Sequence, residues 1–238
     1  GVRDIPAVCP VCGGATEIRK VGDVESLYCT NPECQAKKIK SFTLFVSRDA
    51  LNIEGLSEAS LEKFIGRGFI HEFADIFKLS AHKAEIVEME GFGEKSYENL
   101  IASIERARTT TLAKVIYSLG IPNVGLSGAK LICRRFGDEV VGADEEALAA
   151  IDGIGAVIAG NFVKYFQDAG KRERFGRLLS ELTLVKEETS GDQDLKGRVF
   201  VVTGSLNYFA NRNELKELIE SKGGKVTGSV TSKTSYLI

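Results

Sequence analysis

Apolar residues and glycines recur in the middle of the chain in four short segments with the order apolar, any residue, glycine, apolar, glycine. These segments are Ile53–Ser57, Met89–Gly93, Ile121–Gly125 and Ile151–Gly155. About two helical turns after each segment stands a pair of adjacent apolar residues, on the face that a helix would bury. The pairs are Phe64 and Ile65, Leu100 and Ile101, Ile132 and Cys133, and Phe162 and Val163. The pattern therefore predicts four repeats, each consisting of a tight turn and an amphipathic helix.

The apolar pattern changes after residue 194. Val199–Val202 is a continuous apolar run, which is typical of a strand buried in a parallel sheet. The next segment has helical periodicity and offers two N-cap candidates, Asn211 and Asn213. Lys225–Val230 and Tyr236–Ile238 have the composition of two further strands. We therefore predict a small α/β unit in the order strand, helix, strand, strand, joined to the repeats by a polar linker.

No apolar run approaches the roughly 18 residues that a membrane span needs. The longest runs, Phe42–Val46 and Val199–Val202, are no longer than a strand, so we expect no membrane partner. The chain begins with glycine and lacks the basic and apolar regions of a secretory signal, and we expect it to be a fragment of a longer protein. Its five cysteines, without such a signal, favour a reducing, cytoplasmic compartment.

Four of the cysteines lie near the start of the chain, at Cys9, Cys12, Cys29 and Cys34. The spacings Cys-x2-Cys and Cys-x4-Cys are typical of structural zinc sites, in which tight turns present thiolates to one tetrahedral ion. Four unrelated thiols or two disulfides are the alternatives, but a segment this short and polar needs a metal or a crosslink to fold. With four protein ligands the ion has a structural role, and we predict one zinc ion per chain.

The glycine-rich turns are candidates for contact with a nucleic-acid backbone. Glycines before a helix leave backbone N–H groups accessible, and these groups bind phosphate oxygens without reading base sequence. Two turns depart from the pattern, with Ser57 in place of the second glycine and Asn123 in place of the first. Because serine tolerates the left-handed conformation poorly, the second and fourth turns are the better candidates. The glycines predicted to contact DNA are Gly55, Gly91, Gly93, Gly125, Gly153 and Gly155.

The overall charge gives no independent support to a nucleic-acid partner. The net charge is −2, whereas nucleic-acid-binding domains usually have a basic excess. Residues 51–194 hold more acidic than basic side chains. Contact with DNA would therefore depend on backbone amides and on a few local cations, for which Lys95 and Lys130 are the candidates near the turns.

Five segments together carry a family resemblance. They are Cys9–Gly13, Cys29–Cys34, Asn52–Leu56, Glu90–Ser96 and Gly120–Gly125. The turns resemble the helix-hairpin-helix family of DNA-binding motifs. With the cysteine cluster ahead of them, they resemble the C-terminal half of the bacterial NAD-dependent DNA ligases. Single elements of this kind occur in other repair proteins, whereas this combination is specific.

The end of the chain resembles the first half of a BRCT domain, the terminal module of the same ligases. The segments that match are Val201–Gly204, Lys222–Val226 and Lys233–Ile238. In BRCT domains that hold phosphate, a Thr-Gly pair after the first strand contributes, and Thr203 and Gly204 match that pair. The alternative is a turn with a purely structural role. The remaining strand and helices of the domain are absent from this chain, so we expect poor stability of this unit.

The resemblance implies a multidomain, mainly α architecture. Its modules are a four-cysteine zinc finger at residues 1–43, a domain of four helix-hairpin-helix motifs at residues 44–185, a linker at residues 186–194 and an incomplete α/β BRCT domain at residues 195–238. It also implies a contribution to the sealing of nicks in duplex DNA, in which 5′-phosphate and 3′-hydroxyl ends are joined with NAD as the AMP donor. The chain would hold double-stranded DNA, preferentially nicked, as a monomer in the bacterial cytoplasm, associated with the nucleoid.

The resemblance implies no catalytic residue in this chain. In the family, the lysine that becomes adenylated lies in a Lys-x-Asp-Gly motif, and the nearest match here, Ala150–Gly153, has alanine at the lysine position. We therefore expect the chain to be inactive alone. NAD and Mg²⁺ would act only through the half of the ligase that precedes this chain.

Two other functions remain open from the sequence alone. A non-enzymatic DNA-binding module of another repair or replication factor would bind DNA without dependence on nicks. An interaction scaffold, in which the turns only connect helices, is favoured by the acidic middle of the chain. Such a scaffold would not bind DNA at low salt, and it would tolerate bulkier residues at Gly91 and Gly153.

Overall fold

The computed structural model describes residues 5–187, 195–203 and 211–238, and the chain divides into two compact units, residues 1–185 and residues 186–238. The first unit contains, in order, β1 (Thr16–Val21), β2 (Val24–Cys29), α1 (Gln35–Val46), α2 (Glu58–Gly66), a 3₁₀ segment (Phe73–His82), α3 (Lys83–Val87), α4 (Glu94–Ala107), β3 (Thr109–Thr110), α5 (Leu112–Ser118), α6 (Leu126–Phe136), a second 3₁₀ segment (Gly137–Gly142), α7 (Glu145–Ala149), α8 (Ala156–Gln167), α9 (Ala169–Ser180) and β4 (Thr183–Leu184). The second unit contains β5 (Val199–Val201), α10 (Arg212–Ser221), β6 (Lys225–Thr227) and β7 (Tyr236–Leu237). The predicted multidomain, mainly helical architecture is confirmed. Within the described residues, no helix has the length and apolar character that crossing a membrane requires.

The first module is an antiparallel hairpin of β1 and β2 with very little core of its own. Thr16 pairs with Cys29 at the open end of the hairpin. The cross-strand pair Ile18 and Leu27 remains 51% and 42% exposed, so it contributes little burial energy. A hairpin of this kind is only marginally stable in water, and its fold therefore depends on the cysteine cluster at its open end.

The four predicted repeats are present in the predicted register. Helices α2, α4, α6 and α8 each begin immediately after one of the four glycine-containing segments. The first residue of each predicted apolar pair is buried, and these residues are Phe64, Leu100, Ile132 and Phe162. The second residue of each pair is half-buried against the same core. Each repeat therefore contributes one helix face to a shared interior.

One continuous core joins α1 to the repeats. The apolar run Phe42–Val46 forms the last turns of this helix, and Phe42 and Phe45 are buried. The ring of Phe45 stacks on Phe73 at a centroid distance of 4.3 Å, and Phe42 meets the same ring edge-on at 5.1 Å. Full burial of one such side chain stabilises a fold by about 1.5–3 kcal/mol. Since α1 begins next to Cys34, this packing connects the cysteine cluster directly to the helical domain.

The C-terminal end of the first unit, at β4, is hydrogen-bonded to the middle of the unit, at β3. Strands β3 and β4 pair in parallel, and the N–H of Thr183 donates to the carbonyl of Arg108 at 2.7 Å. The guanidinium of Arg108 donates to the carboxylate of Glu181 at 2.9 Å and to the carbonyl of Phe77 at 2.9 Å. These bonds fix the chain shortly before the predicted linker, most of which lies outside the described residues.

The second unit is a parallel sheet in the order β6-β5-β7 with one helix. Phe200 of β5 packs with Leu215 and Ile219 of α10 in a small core. The side chain of Asn211 accepts a hydrogen bond from the N–H of Glu214 at 3.0 Å, so it is the N-cap among the two candidates. The predicted order of strand, helix, strand, strand is confirmed, although β6 ends at Thr227 and does not extend to Val230 as predicted.

Candidate nucleic-acid interface and metal centre

The four cysteines of the predicted zinc site form one cluster, and their Sγ atoms all lie within 4.8 Å of one another. Cys9 and Cys12 lie on a tight turn before β1, in which the N–H of Gly13 donates to the carbonyl of Cys9 at 2.8 Å. Cys29 ends β2, and Cys34 is the N-cap residue of α1. The turn, the strand end and the helix start therefore bring together thiols that are distant in sequence.

The geometry of this cluster fits a tetrahedral zinc ion. A Zn–S distance of about 2.3 Å corresponds to about 3.8 Å between the sulfur atoms of a tetrahedron. The Sγ atoms of Cys12 and Cys29 lie 3.5 Å apart, and Cys9 and Cys34 are buried. Four protein thiolates would fill all four positions of the ion, which is typical of a structural rather than a catalytic site.

Backbone amides favour the thiolate form of the first two cysteines. The N–H of Gly14 lies 3.4 Å from Sγ of Cys12, and it is the largest influence that lowers the pKa of Cys12 to about 6. A hydrogen bond from the backbone N–H of Cys12 lowers the pKa of Cys9. Desolvation has the opposite effect on Cys29 and raises its pKa to about 11. A zinc ion would supply the positive charge with which all four sulfurs act as thiolates.

The four predicted turns, here called hairpins 1 to 4 in chain order, share one backbone geometry. The third residue of each hairpin has a positive φ, with values of 91° for Gly55, 84° for Gly91, 63° for Asn123 and 92° for Gly153. In hairpins 2, 3 and 4 the N–H of the fourth residue donates to the carbonyl of the first at 3.0 Å. Glycine and asparagine adopt this left-handed conformation at the lowest cost, which explains the asparagine in hairpin 3.

The fifth residue of each hairpin is the N-cap of the helix that follows. These residues are Ser57, Gly93, Gly125 and Gly155. Their φ angles are negative, so no left-handed conformation is required at this position. The prediction that serine is disfavoured there is therefore wrong. The hydroxyl of Ser57 instead accepts a hydrogen bond from the N–H of Ser60 at 3.2 Å. Hairpin 1 therefore satisfies a first-turn amide of α2 internally.

The three glycine N-caps leave the first turns of α4, α6 and α8 without a capping side chain. These helices have 14, 11 and 12 residues, and their first N–H groups and dipoles favour an anion at this end. A Cβ atom built on Gly93, Gly125 or Gly155 would meet no heavy atom within 4 Å. The same is true of Gly91. The space in front of these amides is therefore open to a ligand.

Hairpins 1 and 2 are bonded reciprocally, each to the helix that follows the other. The N–H of Glu54 in hairpin 1 donates to the hydroxyl of Ser103 on α4 at 2.8 Å. The ammonium group of Lys63 on α2 donates to the carbonyl of Glu90 in hairpin 2 at 3.2 Å. A Cβ atom on Gly55 would lie 3.7 Å from Leu100, also on α4. These contacts fix the two hairpins relative to each other.

Hairpins 3 and 4 form a second pair. The side-chain amide of Asn161 on α8 donates to the carbonyl of Pro122 in hairpin 3 at 3.0 Å. A Cβ atom on Gly153 of hairpin 4 would lie 3.0 Å from Leu131 on α6. The fourfold sequence repeat is therefore folded as two interlocked pairs of hairpins.

Sequence reasoning missed the residues that make these pairs. Lys63 and Asn161 are ordinary polar residues of a helix in the sequence, with no signal that separates them from their neighbours. Ser103 gave a weak signal, because it is a polar residue on the apolar face that α4 buries together with Leu100 and Ile104. It is 2% exposed, and its hydroxyl is used by the amide of Glu54.

The two predicted cations lie on the helices that follow hairpins 2 and 3. Lys95 is exposed in the first turn of α4, directly after Gly93 and Glu94. The carboxylate of Glu94 lies 3.6 Å from the ammonium of Lys83, which offsets the acidic charge beside hairpin 2. Lys130 is half-buried on α6. It lies about one turn further from the N-terminus of α6 than Lys95 lies from the N-terminus of α4.

The predicted phosphate contact at Thr203 and Gly204 is described only in part, since Gly204 lies outside the described residues. The amide and the hydroxyl of Thr203 both donate to the carbonyl of Ile238. Its own carbonyl accepts a hydrogen bond from Arg212 at 3.0 Å. A role of this pair in phosphate binding stays a prediction.

Three parts of the chain match known families. Residues 8–36 match the NAD-dependent DNA ligase C4 zinc finger domain, and residues 114–174 match the helix-hairpin-helix motif. Residues 191–238 match the BRCA1 C Terminus (BRCT) domain. The first match covers the cysteine cluster, and the second covers hairpins 3 and 4.

The whole chain is also similar to individual proteins. A protein named DNA ligase from Lachnoclostridium phytofermentans is 60% identical over 242 residues, with 100% of this chain and 37% of the relative covered. A DNA ligase from Ruminiclostridium cellulolyticum is 53% identical, with the same shares covered. A DNA ligase from Thermosipho africanus is 38% identical, with 99% of this chain and 35% of the relative covered. This chain thus spans little more than a third of the length of these relatives. These matches show that the chain corresponds to the C-terminal portion of proteins named DNA ligase and contains a match to the C4 zinc finger domain of the NAD-dependent DNA ligases.

Proposed function

We propose that this chain holds duplex DNA for an NAD-dependent DNA ligase. It would bind the phosphate backbone of the DNA at hairpins whose last residue is the glycine N-cap of the following helix. The observation that carries the proposal is the open N-terminus of α4, α6 and α8, each preceded by a glycine with no heavy atom within 4 Å of its Cβ position. A phosphate oxygen can reach the first-turn amides at these three places. Backbone amides supply this contact without reading bases, as an enzyme that acts on any sequence requires.

The arrangement of the hairpins supports the proposal. Because hairpins 1 and 2 are bonded to each other, as are hairpins 3 and 4, each pair presents its turns as a rigid unit. A fixed spacing between phosphate-binding points favours a regular duplex over a flexible single strand. We assign direct contacts to Gly91, Gly93, Gly125 and Gly155, whose Cβ positions are open, and a turn-forming role to Gly55 and Gly153, which face neighbouring leucines.

Cations supplement the amides in this proposal. Lys95 is exposed in the first turn of α4, where its charge adds to the dipole of the helix. Lys130 on α6 is assigned the corresponding role beside hairpin 3. Each phosphate that is neutralised by a lysine releases counterions, so the DNA affinity would fall steeply as salt concentration rises.

The zinc ion would be held by Cys9, Cys12, Cys29 and Cys34, and its contribution would be structural. Cys34 is both a ligand in the cluster and the N-cap of α1, and α1 is embedded in the core of the helical domain through Phe42 and Phe45. The ion would therefore set the direction in which the β1–β2 hairpin leaves the helical domain. In the family's reaction, this fixed direction of the hairpin would orient the DNA-holding part of the protein relative to the part that carries the chemistry.

The reaction that we propose for the whole protein is the joining of a 5′-phosphate and a 3′-hydroxyl at a nick, with NAD as the AMP donor and Mg²⁺ as the metal. This chain would not carry the adenylated lysine. Its nearest match to the family motif, Ala150–Gly153, has alanine at that position, and Asp152 and Gly153 belong to hairpin 4. We further propose that the chain is inactive alone, binds as a monomer, prefers nicked DNA and works in the bacterial cytoplasm at the nucleoid.

Fluorescence anisotropy with labelled nicked and intact duplexes of one sequence, titrated across salt, tests this function. We expect salt-sensitive binding that is tighter for the nicked duplex. Equal binding to the two duplexes would keep the DNA-holding role and remove the preference for nicks. Absence of binding to both at low salt would contradict the proposal and favour a protein-interaction scaffold.

A further inference from the structure

Beyond the hairpins, the first unit contains a groove of about 640 Å³ between the cysteine-cluster module and the C-terminal helices of the helical domain. One wall is formed by Pro32, Glu33 and the first half of α1, and the opposite wall by Tyr165 and α9. The floor is apolar and is formed by buried Phe42, Phe175 and Leu178. A volume of this size is within the range of about 300–1,000 Å³ that is typical of small-molecule sites.

The groove is positively charged although the chain as a whole is acidic. Lys37 and Lys38 approach from α1, and Lys171 and Arg174 approach from α9. None of these four cations is within ion-pair distance of a carboxylate in the part of the chain that the structure describes. Surface cations are usually interspersed with acidic partners, so four such cations around one concavity produce a local field that favours an anion.

The carboxylates near the groove offset this field only in part. Two of its lining residues are acidic, Glu33 and Glu72. The carboxylate of Glu72 accepts two hydrogen bonds from the guanidinium of Arg177, at 2.9 and 3.1 Å, so its charge is already compensated. Asp168, the N-cap of α9, does not line the groove, but it lies near Lys171 and Arg174, whose charges contribute to lowering its pKa. Glu33 and Asp168 therefore offset part of the charge of the four cations.

Aromatic side chains stand beside the cations. The ammonium of Lys171 lies 5.0 Å from the ring centroid of Tyr165, and both residues line the groove with the half-buried ring of Phe73. Burial raises the pKa of Tyr165 to about 12, so its hydroxyl is neutral near neutral pH. A site with apolar and aromatic surface and convergent cations suits a ligand with a flat ring and a phosphate tail.

We propose that this groove is a binding site for a free nucleotide, with the base against Tyr165 and Phe73 and the phosphates between α1 and α9. The groove meets the hairpins at Pro122 of hairpin 3, which lines it, but Gly91, Gly93, Gly125 and Gly155 do not line it, so the site does not depend on their proposed role. Lys171 and Arg174 are one helical turn apart on α9, so both reach the same phosphate group. Lys37 and Lys38 close the phosphate end from the opposite wall.

Isothermal titration calorimetry of the full chain with ADP, adenosine and pyrophosphate tests the site. ADP should bind with one-to-one stoichiometry and more tightly than either adenosine or pyrophosphate, because only ADP uses both halves of the groove. The double variant Lys171→Gln/Arg174→Gln should weaken ADP binding by about tenfold or more, since two charge-assisted contacts with the phosphates are lost. The control is Lys164→Gln/Arg172→Gln, which removes the same charge from exposed positions outside the groove and should change the affinity less than about twofold.

Two results would overturn the proposal. The first is no heat of binding with millimolar ADP. The second is equal loss of affinity in the two double variants, which would indicate a general charge effect. The variant Gly93→Asp/Gly155→Asp separates this site from the hairpins, because it should leave ADP binding unchanged; loss of ADP binding in that variant would place the nucleotide at the hairpins instead.

Discussion

The hydroxyl of Ser103, buried on α4, accepts the backbone N–H of Glu54 at 2.8 Å and so joins the helix after hairpin 2 to hairpin 1, 49 residues earlier in the chain. Few other polar side chains are as deeply buried in the described residues. The placement of hairpin 1 relative to hairpin 2 therefore depends in part on one small side chain inside the helical domain, together with the bond from Lys63 to the carbonyl of Glu90.

We expect Ser103→Ala to destabilise the chain by about 1–3 kcal/mol, because the N–H of Glu54 loses its acceptor and the position of the hydroxyl, on a residue that is 2% exposed, admits little water in its place. Urea unfolding measures this change in the free energy of unfolding. Ser96→Ala on the exposed face of the same helix is the matched control and should change it by less than about 0.5 kcal/mol. Equal effects of the two substitutions would mean that the Ser103 bond contributes nothing specific.

The cysteine cluster makes a prediction about metal content. The purified chain should contain one zinc ion, and Cys12→Ser should lower this content strongly, because a hydroxyl is a far poorer zinc ligand than a thiolate. Elemental analysis after dialysis measures the content. Cys133→Ser, which changes a half-buried cysteine of α6 outside the cluster, should keep the zinc. Zinc loss in both variants, or in neither, would contradict the assignment of the four ligands.

Removal of zinc should also loosen the start of α1. Cys34 is the N-cap of this helix and has no side-chain cap hydrogen bond there, so the cluster holds the first turn in place. Hydrogen exchange of residues 35–38 should accelerate on chelation, while the amides of α4 and α8 remain protected by the helical core. Uniform acceleration along all helices would mean that the metal stabilises the whole unit.

The N-cap of α9 gives a pH dependence with a definite sign. Hydrogen bonding, chiefly from the N–H of Lys171 at 2.9 Å, lowers the pKa of Asp168. The carboxylate therefore stabilises the folded chain above the pKa of an unfolded aspartate, about 3.9, and this contribution is lost as pH falls through the lower folded pKa. Asp168→Asn keeps a capping acceptor without titrating, so its melting temperature should lie below that of the unsubstituted chain at pH 7, and the difference should vanish in acid.

Asp168→Ala removes both the charge and the cap, and it should lower the melting temperature at either pH. A constant difference between the unsubstituted chain and Asp168→Asn from pH 7 into the acid range would show that the charge of this carboxylate has no part in stability.

The sequence predicted the repeat and its register because tight turns and helix faces are local features. Hairpin residues such as Gly91 and Gly153 must adopt a positive φ, and buried positions such as Leu100 recur at helical spacing. The cysteine cluster was predictable for a related reason, since the short spacing within each of its two cysteine pairs is typical of structural zinc sites.

The pairing of the hairpins could not be predicted, because it depends on contacts between elements that are far apart in sequence. The bonds of Ser103 and Asn161 cross 49 and 39 residues, and no local pattern indicates their partners. The role of Ser57 as an N-cap could not be predicted for a different reason. The sequence shows two glycine positions in each hairpin and does not show that only the first requires a left-handed backbone.

We propose that the open N-termini of α4 and α8, which follow hairpins 2 and 4, bind DNA phosphates. The most direct test is the affinity of Gly93→Asp and Gly155→Asp for a labelled nicked duplex, measured by fluorescence anisotropy at fixed salt. Both glycines have a φ that any residue can adopt, and aspartate is a good N-cap, so these variants should fold at least as stably as the unsubstituted chain. The new carboxylate would occupy the amides and repel phosphate.

Ser57→Asp is the control, because hairpin 1 already caps its helix internally. We expect Gly93→Asp and Gly155→Asp each to weaken DNA binding by about tenfold or more, while Ser57→Asp should change it less than about threefold. Unchanged binding by both glycine variants, or an equal loss in Ser57→Asp, would show that these helix N-termini do not bind DNA phosphates.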